Sequence, residues 1–224
     1  MRPHNFDQLY FQGRVIDIGC GDDLVCGWAE RFDVEDGDAN DILSHCAPES
    51  YDTVHSSHCL EHMLDPVATL AQWWNLVKPG GFLILVVPDE DLYEQGIWPS
   101  RFNSDHKHTF RLDKAASWSP VSHEIRSLVE TLPNAKILNA EIHDHKLDYA
   151  LLAKYGDPIR ESTWLIGKIN RKIRKAKVGE NIRARLQRAA DKYARYRNIP
   201  IDQTMRDALA KIQVIAQKQC SQNK

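Results

Sequence analysis

Arg14-Val-Ile-Asp-Ile-Gly-Cys-Gly21 (RVIDIGCG) decides how the rest of the chain is read. A short apolar run that ends in glycine reads as a buried parallel strand followed by a tight turn. Glycine lets the backbone of such a turn come close to a ligand. In an open α/β sheet this turn lies at the carboxyl ends of the strands, where ligands bind. The dinucleotide pattern G-x-G-x-x-G fails, because its third glycine position is Leu24. A GxxxxGK[ST] phosphate loop is absent as well. Asp17, two residues before the first glycine, suits a cation better than a pyrophosphate.

Downstream of that strand, Glu30–Glu35 reads as a second strand and Tyr51–Ser56 as a third. Asp65–Val77 reads as a helix, with Val67, Leu70, Trp74 and Val77 at helical spacing. Of the paired tryptophans, Trp74 is expected in the core and Trp73 over an edge. Lys78-Pro-Gly-Gly81 stops that helix. Phe82–Val87 (FLILVV) is apolar throughout, as a strand covered on both faces must be. A helix over Val121–Leu132 and a strand over Ala135–Ile142 continue the alternation. The expected fold class is therefore α/β: a doubly wound, Rossmann-like, mostly parallel sheet. Asp7–Gly13 (DQLYFQG) is similar to a viral-protease cleavage site and reads equally as a helix running into the first strand.

The 224 residues suffice for a core without disulfide or metal staples, and the net charge is only −2. Neither a membrane-spanning apolar run nor a signal peptide is visible. Five cysteines (20, 26, 46, 59 and 220) form no CxxC pair, which suits reduced thiols and a cytoplasmic setting. Charge is unevenly spread. Residues 150–200 hold fourteen Lys/Arg against four Asp/Glu, a net of +10. Ile159, Ile166, Ile169 and Ile173 share one helical face, and Ile182, Leu186, Ala189, Tyr193 and Tyr196 another, with Gly179 between. The expected organisation is a core over 1–149, a basic helical hairpin inserted over 150–204, and a last strand over 205–224 that returns antiparallel to the sheet.

The stretch from Arg14 to about Phe110 resembles class I S-adenosylmethionine (SAM)-dependent methyltransferases. The matching pieces are VIDIGCG (15–21), GDA (37–39), YDTVHSSHCLEHM (51–63) and LVKPGGFLILVVPDED (76–91), in the family's order and spacing. Residues 92–110 (LYEQGIWPSRFNSDHKHTF) resemble a compact, methyltransferase type 11-like bacterial subfamily with a shortened link between the first two strands. Here about a dozen residues separate Gly21 from Asp33.

The resemblance implies SAM as cofactor. Asp17, Gly19, Cys20 and Gly21 would then lie at its methionine end. Asp33, or alternatively Asp36, would accept from the ribose hydroxyls. Asp38 and Ala39 would meet the adenine, and Ser57 and His58 would lie beside the cofactor. A hydroxyl acceptor also needs a base, and histidine titrates near neutral pH. The candidates are His106, His108 and His58; His62 is expected to bond at a helix terminus. No metal is expected. His143-Asp144-His145 and Asp105-His106-Lys107-His108 match no standard zinc spacing. Cys20 and Cys59 are expected as small core residues.

The implied reaction is methyl transfer to oxygen or nitrogen of a small-molecule or glycan-precursor acceptor. The alternative is a SAM-fold module without turnover that binds through its basic helices. A nucleotide-sugar enzyme using NAD is disfavoured by Leu24. The basic helices read as a solvated face, as a contact for an anionic acceptor or membrane surface, or as a homodimer contact. No nucleic acid is expected, since aromatic residues are not interleaved apart from Tyr193 and Tyr196.

Overall fold

The computed structural model describes residues 5–156, 168–169, 172–173, 175–176, 179–197 and 199–220. Six strands form one sheet: β1 (Val15–Ile18), β2 (Glu30–Phe32), β3 (Tyr51–Ser57), β4 (Val77–Pro88), β7 (Ala135–His143) and β8 (Lys211–Lys218). Their spatial order is β2-β1-β3-β4-β8-β7. β1 runs parallel to β2 and β3, and β3 to β4. β8 is antiparallel to both of its neighbours, β4 and β7. This is the doubly wound sheet with a returning antiparallel last strand expected from the sequence. A small second sheet pairs β5 (Thr109–Arg111) with β6 (Ser122–Glu124).

The continuous apolar strands are buried on both faces because side chains alternate along a strand. Ile16, Ile18, Leu83, Leu85, Val214 and Ala216 enter one core cluster. Val15, Ile84 and Ile215 enter the other. The first cluster packs under α2 (Pro66–Leu76) and α3 (Ile125–Glu130). The second packs under the N-terminal segment. Residues 6–10 form a short helix, α1, and both Phe6 and Phe11 are buried beside Val15. Within Asp7–Gly13, residues up to Tyr10 are helical.

α2 starts where sequence chemistry places it. The Asp65 carboxylate accepts from the amides of Val67 and Ala68, and Pro66 occupies the first turn. Its buried face is Thr69, Leu70, Trp73, Trp74 and Leu76, while Val67 is exposed. Trp73 is therefore core, like Trp74, and not an edge cover. Two other expectations shift. The strand at Glu30 ends at Phe32, because Asp33–Gly37 closes into a turn. The helix expected from Val121 begins at Ile125, with Glu124 as its cap and Ser122–Glu124 drawn into β6.

Between β1 and β2 the chain makes turns and no helix. Of the basic segment, α4 (Glu180–Arg197) is described. The first arm of the expected hairpin falls largely outside the described residues. α4 buries Ala190 and Ala194, and Ala194 packs against Leu151, Ile199 and Ile201. The shared apolar face, with Ile182, Leu186, Tyr193 and Tyr196, is exposed.

Candidate functional site

The turn after β1 sits at the carboxyl ends of β1, β2 and β3. Gly19 has φ +73°, and its amide donates to the Phe32 carbonyl at 2.8 Å. A Cβ on Gly19 would lie 2.6 Å from Cβ and Sγ of Cys59. Glycine is required there both by conformation and by space. The Gly21 amide donates to Asp33 Oδ2 at 2.6 Å, tying the turn to the end of β2. Asp33 Oδ1 accepts from the Val34 amide, and these bonds hold the carboxyl below its usual range.

A cleft of about 610 Å³ opens beside this turn. Gly19, Phe32, Asp33 and Val34 line one end; Gly37, Asp38 and Ala39 line the other; His58, Cys59, His62, Met63 and Asp105 close it. Its far end is pinned from below. Trp73 Nε1 donates to the Ala39 carbonyl at 2.9 Å, and Gln72 Nε2 to that of Asn40 at 2.7 Å. Asp38 accepts from the Asn40 amide and side chain, which lowers its pKa, the side-chain bond counting most.

Of the ten cofactor residues named from the sequence, Gly19, Asp33, Asp38, Ala39 and His58 line the cleft. Asp17 is buried below it: Oδ1 pairs with His55 Nδ1 at 2.6 Å, and Oδ2 accepts from the Val25 amide at 2.6 Å. Its carboxylate ties β1 to β3 and to the loop at Val25. Asp36 accepts from the Asp33 amide at 2.9 Å and closes the turn after β2. Cys20, Gly21 and Ser57 are outside the lining residues. Burial pushes the Cys59 thiol up to about 12, with Glu61 adding to it, and burial raises that of Cys20 as well. Such thiols are not nucleophiles near neutral pH.

A second cleft, of about 420 Å³, shares His58 and His62 with the first. Glu61, Tyr93, Asn103 and His106 form one wall, and Thr204 with residues 207–211 the other. His58 is held at φ +55° with its amide donating to the Val86 carbonyl at 2.9 Å. His106 is buried and pairs through Nδ1 with Glu94 Oε1 at 2.6 Å. His62 pairs through Nδ1 with Asp105 Oδ2 at 2.8 Å. Glu61 is fully buried, with His58 Nδ1 at 3.5 Å and His106 Nε2 at 3.9 Å from its Oε1. Burial, chiefly, raises the Tyr93 phenol. His108 faces away, its Nδ1 3.1 Å from His123 Nε2 and its Nε2 3.3 Å from the Leu64 carbonyl.

Sequence reasoning passed over Glu61, Asn103 and the stretch 204–211. Glu61 had one local signal, an acidic residue between Leu60 and His62 in Cys-Leu-Glu-His-Met. The others come from distant elements, and no spacing announces them.

Comparison with known proteins gives the family. Residues 6–123 match the family model described as a methyltransferase domain. No curated protein matches the chain. Among solved structures, the chain is similar to a SAM-dependent methyltransferase from Archaeoglobus fulgidus, at 18% identity and a TM-score of 0.46, covering 94% of this chain and 89% of that one. It is also similar to phosphoethanolamine N-methyltransferase 2 of Haemonchus contortus, at 13% identity and a TM-score of 0.39, covering 87% of this chain and 38% of that one. A third is the [4+2]-cyclase SpnF, at 14% identity and a TM-score of 0.47, covering 96% and 79%. With the family model spanning more than half of its length, the chain belongs to the methyltransferase-domain family.

Proposed function

We propose that the larger cleft takes SAM and that the smaller one takes the methyl acceptor, an oxygen or nitrogen nucleophile on a small molecule or glycan precursor. The observation that carries this is the junction of the clefts. His58 and His62 line both, so a methyl group delivered from one meets a nucleophile held in the other. In the larger cleft Asp33 accepts from the ribose hydroxyls and Asp38 from the adenine amine, while Gly19 leaves room for the sulfur end. Asp17 acts indirectly, by fixing the turn. Asp36 holds Asp33 in register.

The reaction is an in-line displacement. The acceptor's lone pair forms a bond to the methyl carbon as the carbon–sulfur bond breaks, and that electron pair stays on sulfur. The chain's work is alignment and exclusion of water. The acceptor's proton leaves into the smaller cleft, whose wall is polar. His108 has no part in this step.

The test is calorimetric titration with SAM and with its demethylated product. Saturable binding is expected for the wild type, with a loss of tenfold or more in Asp33→Ala and a smaller loss in Asp36→Ala. Binding of NAD without SAM, or no binding by folded protein, overturns the reading. For the basic segment, the exposed apolar stripe of α4 between arginines favours peripheral contact with an anionic membrane surface.

A further inference from the structure

Among the described residues, every buried carboxylate but one accepts at least one hydrogen bond; even Glu94, whose Oε2 has no partner, meets His106 through Oε1. Glu90 accepts from Ser117 at 2.6 Å, Ser122 at 2.5 Å and Lys114 at 2.8 Å. Asp17 has His55 and the Val25 amide. Glu61 is as deeply buried as Glu90, yet neither of its carboxylate oxygens accepts a hydrogen bond. A buried carboxylate without hydrogen bonds is strongly disfavoured, and the imidazole nitrogens of His58 and His106, at 3.5 and 3.9 Å, do not supply them. Something of opposite charge belongs against it.

The groups around Glu61 identify what. His62 and His106 present ligand atoms that lie, with that of Glu61, within 4.8 Å of one another. Both histidines have their Nδ1 engaged: His106 with the Glu94 carboxylate at 2.6 Å, and His62 with Asp105, its backbone carbonyl at 3.2 Å and its carboxylate at 2.8 Å. A proton held at Nδ1 leaves the Nε2 lone pair free to ligate. This carboxylate–histidine pairing is the outer shell that orients metal-binding imidazoles. Two such pairs converging on an unsatisfied buried glutamate are not needed by a general base, which would use one.

We infer that Glu61, His62 and His106 bind a divalent transition-metal ion. Two imidazole nitrogens and one carboxylate oxygen suit zinc, manganese or iron better than magnesium or calcium, which take oxygen donors. Three protein ligands with further positions open is the arrangement of a catalytic site, and not of a structural one. The open positions face the smaller cleft, where His58 supplies an optional fourth donor. Resting on the methyl-transfer reading, the ion's role is to hold a hydroxyl oxygen of the acceptor. Ligation lowers the hydroxyl's pKa, so that its proton leaves to water before the oxygen attacks. The acceptor class is then a hydroxyl compound.

The experiment uses the full chain, stripped with chelator and dialysed against zinc(II) or manganese(II), with bound metal counted by mass spectrometry and thermal unfolding recorded in parallel. One ion per chain is expected. Affinity falls at least 100-fold in Glu61→Gln and in His106→Ala, and about 10- to 100-fold in Glu94→Gln. His143→Ala, far along β7, retains binding. Without metal, Glu61→Gln melts higher than the wild type, because an unpaired charge is gone; with metal, the order reverses. Folded wild type that binds no ion overturns the inference, as does binding that Glu61→Gln and His106→Ala leave intact. SAM titration of the same samples reads the cofactor site separately. SAM bound without metal sinks the ion alone, and metal bound without SAM sinks the methyl-transfer reading alone.

Discussion

Gly19 shows how little freedom the turn after β1 has. Alanine there meets both a left-handed backbone at φ +73° and the Cys59 side chain at 2.6 Å. The strain alone costs about 1–3 kcal/mol. Gly19→Ala is expected to lose SAM binding by calorimetry, and Cys59→Ala is expected not to rescue it, since the Cβ of residue 59 is itself in the way. Recovery of binding in that double variant would show that Sγ alone sets the limit. Asp89 offers a different test. Burial raises its carboxyl to about 6, well above the usual 3.8. The folded chain therefore holds a proton that the unfolded chain releases between roughly pH 4 and 6, so this group's contribution to stability falls as pH rises through that window. The span is worth roughly 3 kcal/mol. Asp89 also caps the turn that follows by accepting from the Asp91 and Leu92 amides. Asn keeps that capping oxygen. Denaturant midpoints for Asp89→Asn should therefore be flatter than wild type across pH 4–6. An unchanged slope would assign the dependence to other groups.

The helix α2 carries two adjacent tryptophans that do different work. Trp73 donates to Ala39 in the larger cleft, whereas Trp74 donates to Pro133 on the far side at 2.9 Å. Trp73→Phe and Trp74→Phe each remove one hydrogen bond, about 0.5–1.5 kcal/mol, and some packing. Their losses of stability should be comparable. Only Trp73→Phe should also weaken SAM, by roughly three- to tenfold, and equal weakening by both would refute the pinning role. This pair also marks where sequence stops being informative. The expected bounds of α2 lie within a residue of the observed ones; Asp65-Pro66 is a strong local start signal, whereas Lys78–Gly81, expected to stop the helix, already belongs to β4. Of the expected stripe Leu70, Trp74 and Val77 are buried and Val67 is exposed; Trp73 is buried in its place, and since both are apolar only the neighbouring loop at Ala39 decides between them. Strand β6 was missed for the same reason: Ser122-His-Glu124 has no apolar alternation, and its pairing with Thr109–Arg111 is a tertiary choice.

At the scale of the whole molecule, much of the lining of the larger cleft was legible and that of the smaller one was not. The first is assembled mostly from residues 19–63, where strand ends follow one another closely in sequence. The second joins residues 58–62, 93–106 and 204–211, so its wall forms only when the chain returns after the basic segment. The return places α4 near that wall. Ile182 and Leu186 are about half exposed, Tyr193 likewise, and Tyr196 more so, with Arg183, Arg185, Arg188 and Lys192 exposed among them. None of the described helices is long and apolar enough to cross a membrane. A helix that shows water an apolar stripe flanked by cations suits the interface of an anionic bilayer, where each basic group adds about 1 kcal/mol. Co-sedimentation with phosphatidylglycerol vesicles should therefore exceed that with phosphatidylcholine vesicles and should fall with added salt. Leu186→Glu should reduce it by adding a like charge at the stripe's centre, while leaving SAM affinity unchanged, because Leu186 lies on neither cleft. Equal pelleting with both lipids, or none, would return α4 to a plain solvated face. Concentration-dependent association without lipid, lost in Leu186→Glu, would assign the stripe to a second copy of the chain.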